Sequence, residues 1–344
     1  MVIEILLLLF GLVLLTKGSD YFVRAAGSIT KKLGVSEFVI GLTLVALGTS
    51  IPELASSIIA SMRGAPELVI GNVVGSNIAN VALIVGITAV IVVIATKEEM
   101  LKRDGYVMLF ATALFFLFMV NGVVSRIEAG ILLVLYFAYM IFLLEIKHEK
   151  KEKQHFQHFI HYFFKFRYVK TLKKTLFRGK KKNKIHDEVK EIARVGLFKD
   201  FTIIAVSGVA LVIGARFLIN QALFFANLFN MSETLIGISL VALGTSLPEL
   251  MVSITSARMG FGDIALGNII GSNVANMLLI VGVSGLLAPL TVVKSVLLHS
   301  GPFMILTSIL LLIFIRSGWK LDRIEGVTFL GMYIIFMSLL FLTA

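Results

Sequence analysis

The sequence predicts an all-α polytopic membrane protein, with ten transmembrane helices arranged as two inverted five-helix repeats. Three observations carry that prediction: an apolar composition, a long internal duplication and the placement of positive charge. Of 344 residues, 58% are hydrophobic and 15% charged, and the mean hydropathy is +0.95. Soluble domains carry about 45–50% apolar and about 25% charged residues. The excess suits helices that face lipid and excludes an ordinary soluble enzyme or a disordered chain. The absence of cysteine excludes disulfide scaffolds, thiolate metal sites and cysteine nucleophiles.

A helix needs about 20 apolar residues to cross the hydrocarbon core. Five runs of that kind precede the basic middle of the chain, at 2–24, 37–62, 67–95, 104–121 and 127–146. Five follow it, at 198–220, 233–257, 264–288, 294–315 and 324–343. The opening Met1-Val2-Ile3-Glu4 lacks a basic n-region and no small-residue cleavage site follows, so the first run is expected to be a retained helix.

The two sets repeat each other. Gly41–Gly86 aligns without gaps on Gly237–Gly282 at an offset of 196, with 25 identities in 46 positions. Five spans is an odd number, so the second copy enters the membrane upside down. Charge supports this independently. Residues 147–199 hold 17 Lys/Arg and 5 acids, a net of +12 within a chain of +11, so the remainder sums to −1. With that segment inside, ten further basic residues fall on the cytoplasmic side (Arg24, Lys31, Lys32, Lys97, Lys102, Arg103, Arg258, Arg316, Lys320, Arg323). Only Arg63, Arg126 and Lys294 fall outside, as the positive-inside rule requires. The expected organisation is an N-terminal repeat at 1–146 (motif 41–86), a basic cytoplasmic loop at 147–197 and a C-terminal repeat at 198–344 (motif 237–282). Both termini face outward, in a multi-pass protein of the cell membrane. The clustered charge points to anionic lipid headgroups beside the loop rather than to nucleic acid. Inverted repeats are an architecture of secondary transporters, which hold substrate at the midplane.

Each copy sets one carboxylate deep in an apolar span, Glu53 and Glu249. An ionisable group there costs about 2.5–3.5 kcal/mol on insertion scales and usually marks an ion path. No Lys or Arg stands near the middle of either span. Thr49, Glu53 and Ser57 step by four, as do Thr245, Glu249 and Ser253, which places them on one helical face. Pro52 and Pro248 cannot donate to the carbonyls of Gly48 and Gly244, which frees those oxygens. Hydroxyl, carbonyl and carboxylate oxygens suit hard cations such as Ca²⁺, Na⁺ or Mg²⁺. In the next span Asn72, Ser76 and Asn80 form a polar stripe repeated by Asn268, Ser272 and Asn276. Asn80 and Asn276 are the deeper ligand candidates; Asn72, Asn77, Asn268 and Asn273 fit interhelical hydrogen bonding. Gly71/Gly75 and Gly267/Gly271 form G-x-x-x-G pairs, which permit close helix approach. Two carboxylates balance one Ca²⁺, two Na⁺ or two H⁺, the arithmetic of exchange.

The motifs GTSIPE at 48–53 and GTSLPE at 244–249, each followed by GN-x-x-GSN-x-x-N, resemble the two α-repeats of sodium/calcium exchangers in the cation/Ca²⁺ exchanger superfamily, in their prokaryotic type. The resemblance implies an antiporter that moves Ca²⁺ against Na⁺ by alternating access. It implies ion-bridging roles for Glu53 and Glu249 and ligand oxygens from Thr49, Ser50, Thr245 and Ser246. It further implies Na⁺ ligation by the carbonyls of Ala46 and Ala242 and the hydroxyls of Ser76 and Ser272, with Asn80 and Asn276 at the fourth-ligand position. Many relatives, potassium-dependent exchangers among them, carry Asp where this chain has Asn276; K⁺-independent transport is therefore expected. Na⁺ and Ca²⁺ are cargo, no cofactor is expected, and the protein is expected to work as a monomer.

H⁺/Ca²⁺ antiport by the same fold is the alternative, though proton-coupled relatives usually show a GN-x-x-E type of motif. An ion channel needs no two-faced site. An intramembrane hydrolase lacks an H-E-x-x-H motif here. Within the loop, His155, His158 and His161 recur every three residues, a poor metal spacing without a cysteine partner. Phe156, Phe159, Phe163, Phe164 and Phe166, interleaved with Lys165, Arg167 and Lys170, suggest a helix lying on the membrane surface. Glu37, Glu67, Glu233 and Asp263 open spans, where helix N-termini favour acids.

Overall fold

The computed structural model describes residues 2–146, 156–169, 187–228 and 242–343. The sequence begins with helix α1 (Val2–Leu33), 32 residues or about 48 Å long. Next come α2 (Glu37–Thr49) and α3 (Ile51–Met62), bent by 46° at a one-residue break. Helix α4 is Pro66–Ile91. Helix α5 joins a wide-turned stretch, Met100–Gly105, to Tyr106–Met119. Helix α6 (Arg126–Ile146) closes the first half, and the short α7 is Phe156–Phe164. The second half runs α8 (Asp187–Leu228), α9 (Ala242–Thr245), α10 (Leu247–Arg258), α11 (Gly262–Leu287), α12 (Val296–Arg316) and α13 (Arg323–Thr343).

Among the described residues, seven helices are long and apolar enough to cross a membrane, or eight if α2 and α3 count as one span. Two of the ten expected runs are not among them. Lys102, Arg103 and Asp104 load the start of α5 with charge. The run expected at 233–257 is described only from residue 242. Residues 147–155 and 170–186 of the basic loop, with His155, Lys170 and most of its charge, and Glu233 lie outside the described residues.

Helices α4 and α11 form the centre: 72% and 83% of their apolar windows are buried, against 28% for α1 and α8. Close packing at the centre depends on missing side chains. A Cβ on Gly267 would stand 2.5 Å from the carbonyl oxygen of Phe38, and one on Gly271 would overlap that of Leu42. The second glycine pair thus lets α2 rest on the α11 backbone. Gly71 and Gly75 have no described atom within 4 Å of the corresponding position. Helices α1 and α8 pair antiparallel on the outside. They cross where Gly11 faces Gly214, and Lys32 and Ser28 of α1 both bond Asp200 of α8, at 2.6 and 2.8 Å.

Among the described residues, four two-residue strands join the halves. Strand β1 (Ile94–Ala95) pairs antiparallel with β4 (Lys320–Leu321), and β2 (Val123–Val124) with β3 (Leu290–Thr291). Each pair takes one strand from each half. Since β1 precedes α5 and β2 follows it, the two pairs sit at opposite ends of the bundle.

The loop helix α7 differs from the expected surface helix in what it buries. Phe159 and Tyr162 are buried against α6, where Phe159 meets Tyr139 edge-on at 5.4 Å and Tyr162 meets Phe142 at 5.4 Å. Its aromatic residues outnumber its charges, so one face docks on protein while Phe164 stays exposed. Beneath it lies a cluster that the charge pattern did not single out. Arg103 holds both oxygens of the buried Asp104 at 2.8–2.9 Å, and Tyr139 donates to Asp104 at 2.6 Å.

Candidate ion-binding site

Proline decides the local backbone. Pro52 has no N–H for the carbonyl of Gly48, so the helical bonding is interrupted there. The helix stops at Ser50 (φ −84°, ψ 8°), and α3 restarts with Pro52 in its first turn. Ser246 breaks the second copy alike (φ −89°, ψ 6°), with Pro248 in the first turn of α10. The single helical face expected for Thr49, Glu53 and Ser57 is therefore corrected. Thr49 ends α2, and Glu53 stands one break later at the start of α3. The result is a pair of half-helices whose carbonyl end and carboxylate share one locus, a geometry that suits cations.

Glu53 and Glu249 are 2% and 1% exposed. Among the described residues neither forms an ion pair with Lys or Arg. They lie within electrostatic reach of each other, and the motif hydroxyls reach across the halves. Ser50 Oγ is 3.1 Å from Glu249 Oε1 and 3.1 Å from Ser272 Oγ. Thr49 Oγ1 donates to Asn268 Oδ1 at 3.1 Å, and Asn268 donates on to Ser253 at 3.2 Å. In the first copy Asn72 donates to Ser57 at 3.2 Å. The Ala46 carbonyl accepts from Ser50 N at 3.0 Å and from Thr49 Oγ1 at 3.3 Å. Ala242 is the first described residue of α9 and stands in the same position relative to its break. Ser76 is buried on α4.

The asparagines follow one twofold rule. Asn80 Nδ2 donates to Asn273 Oδ1 at 3.0 Å, and Asn276 Nδ2 donates to Asn77 Oδ1 at 3.1 Å. Asn80 and Asn276 both lie in wide-turned stretches, Ala79–Val85 and Ala275–Ile280, a helical defect frequent at functional sites. With each amide nitrogen engaged across the interface, the amide oxygen is left facing away. Asn77 and Asn273, read from sequence as packing residues, prove to be what aims Asn80 and Asn276. Their signal was the three-residue step within each GSN-x-x-N motif.

Among the described residues, six of the candidate oxygens are buried without a hydrogen-bond partner: Glu53 Oε2, Glu249 Oε2, Asn80 Oδ1, Asn276 Oδ1, Thr245 Oγ1 and Ser246 Oγ. Buried polar atoms are nearly always paired, and an unpaired buried charge costs several kcal/mol. A set of unpaired, acceptor-capable oxygens that includes two carboxyl groups is complementary to a hard cation. Among the described residues no donor or cation fills that role. The other acids behave as first-turn residues: Glu67 lies 3.4 Å from Thr291, and Asp263 pairs with Lys97. Among the described residues, no group of three or more His, Asp and Glu side chains gathers, His158 and His161 included.

Known proteins match along the whole chain. The profile of the family described as "Sodium/calcium exchanger protein" matches residues 3–145 and 199–342. The sequence is 51% identical to the sodium/calcium exchanger MaX1 of Methanosarcina acetivorans, over 98% of this chain and 99% of that one. It is 32% identical to the putative antiporter CaxA of Alkalimonas amylolytica, over 99% of each. A solved structure of the sodium-calcium exchanger NCX_Mj superposes with a TM-score of 0.78 at 29% identity, covering 98% of this chain and 99% of that one.

Proposed function

Since this chain belongs to the sodium/calcium exchanger protein family, we propose that it exchanges Na⁺ for Ca²⁺ across the cell membrane by alternating access. In this reading ten spans form two inverted repeats, 1–146 and 198–344, with the 147–197 loop in the cytoplasm and both termini outside. The ions bind at the midplane, where the repeats meet. The observation that carries the reading is the buried set of unpaired oxygens from both halves, with Glu53 and Glu249 at its centre.

Two carboxylates balance one Ca²⁺ or two Na⁺, so the two loads compete and one is carried per reorientation. Glu53 and Glu249 bridge the cation from opposite sides. The amide oxygens of Asn80 and Asn276 complete its shell without adding charge. Thr49, Ser50, Thr245 and Ser246, with the carbonyls of Ala46 and Ala242 and the hydroxyls of Ser76 and Ser272, supply the flanking Na⁺ positions. Flexible side chains and carbonyls suit Ca²⁺, whereas Mg²⁺ demands near-octahedral geometry and dehydrates reluctantly.

The test is radiolabelled Ca²⁺ uptake by purified protein in sealed proteoliposomes. An outward Na⁺ gradient is expected to drive uptake, and external Na⁺ to inhibit it competitively. Uptake driven by a pH gradient and indifferent to Na⁺ would overturn Na⁺ coupling. Uptake that needed no gradient of either ion, and did not saturate, would overturn exchange itself.

A further inference from the structure

The α1–α8 pair carries a groove that the ion site does not use. Its volume is about 350 Å³, at the small end of ligand pockets. Its floor exists because Gly18 has no side chain: a Cβ there would stand 3.3 Å from both Leu211 Cγ and the Ser207 carbonyl oxygen. The two helices run antiparallel, so the groove has distinct ends. Val13 and Leu14 line one end with Val206 and Ala210 on α8; Lys17 and Tyr21 line the other, opposite Thr202 and Ile203. Lys17 is exposed and, among the described residues, has no acidic partner. Arg24, exposed as well, follows two turns beyond Lys17.

We propose that this groove is a binding site for one anionic phospholipid, its acyl chain lying along Val13, Leu14, Val206 and Ala210 and its phosphate held by Lys17. Charge complementarity names the occupant. A lysine on the lipid-facing side of an apolar helix is costly unless its ammonium reaches the headgroup level or meets an anion. Tyr21, one turn on, is 60% exposed, and tyrosine concentrates at that same level. A tail slot that ends in a free ammonium and a phenol discriminates among lipids by headgroup. The polar end also points toward Arg24, Lys31 and Lys32, the basic end of α1, so the leaflet on that side supplies the lipid.

Native mass spectrometry of the full chain, given equal phosphatidylglycerol and phosphatidylcholine, tests this without reference to transport. The wild type should retain phosphatidylglycerol in preference. Lys17→Gln should lower that preference about fivefold, the worth of one basic residue against an anionic surface. Arg216→Gln, an exposed basic position on α8 outside the groove, should leave it unchanged. Val206→Trp, filling the groove from a side chain already 65% exposed, should displace both lipids. Equal retention of the two lipids by the wild type, an unchanged preference in Lys17→Gln, or an equal loss in Arg216→Gln would each overturn the proposal.

Discussion

Ser50 Oγ stands 3.1 Å from Glu249 Oε1, so a hydroxyl from one half's motif touches the carboxylate of the other's. Its counterpart Ser246 has a buried hydroxyl with no partner. The two copies thus differ in this conformation although their motifs match. Removing Ser50 Oγ loses a hydrogen bond to a charged group, worth about 1.5–3 kcal/mol; removing Ser246 Oγ loses none. Thermal denaturation without Na⁺ or Ca²⁺ should show Ser50→Ala destabilised and Ser246→Ala near wild type. Both should slow Na⁺-driven Ca²⁺ uptake, since both supply ligand oxygens in the proposed cycle.

Glu53→Gln and Glu249→Gln keep shape and remove charge. Each should reduce Na⁺-driven Ca²⁺ uptake at least tenfold, about 1.4 kcal/mol or more of transition-state stabilisation. A ligand at a hundred times its Kd stabilises a folded protein by about 2.7 kcal/mol. Saturating Ca²⁺ should therefore raise the wild-type melting temperature and leave both variants unmoved. A Ca²⁺-dependent shift that survives in either variant would sink the proposed bridging role.

Asn276→Asp probes aim and charge together. Aspartate cannot donate, so Asn77 Oδ1 loses the bond it accepts at 3.1 Å. A buried acceptor left alone costs about 1–3 kcal/mol. The variant should melt earlier in ion-free buffer, and Asn80→Asp should do the same through Asn273. Wild-type uptake should be equal in K⁺ and choline media; an absolute need for K⁺ refutes the expectation drawn from Asn276.

Gly271→Ala should be poorly tolerated, because the added Cβ overlaps the Leu42 carbonyl oxygen and backbone cannot yield as a side chain does. Overpacking of this kind costs about 1–3 kcal/mol or more. Gel-filtration profiles after heating would show early aggregation. Gly18→Ala, whose Cβ comes no nearer than 3.3 Å to its neighbours, should lie closer to wild type.

Much of this was legible in the sequence because it is periodic or duplicated. The apolar runs located most of the described helices, the offset of 196 paired Glu53 with Glu249, and the four-residue steps marked Asn80 and Asn276 as ligand candidates. What sequence missed depends on what stands opposite. No spacing rule says that Asn77 meets Asn276, or that β1 pairs with β4 rather than with a strand of its own half. The break at Ser50 was foreshadowed by Pro52, yet a proline alone does not fix whether a helix bends or stops. Arg103 and Asp104 stood in plain view at a span edge, but their burial depends on Tyr139 and on α7 lying above. Nothing in the sequence sets Lys17 apart, because its groove is shaped by Gly18 and by α8 lying opposite.

The crossed strands restrict how such a molecule can work. With β1 hooked to β4 at one rim and β2 to β3 at the other, the halves are stitched at both hems and cannot swing apart like the covers of a book. In the proposed cycle the doorway to the oxygens between them lies in what leans on that sewn block from outside, as the long α1–α8 pair does with only 28% of its apolar windows buried.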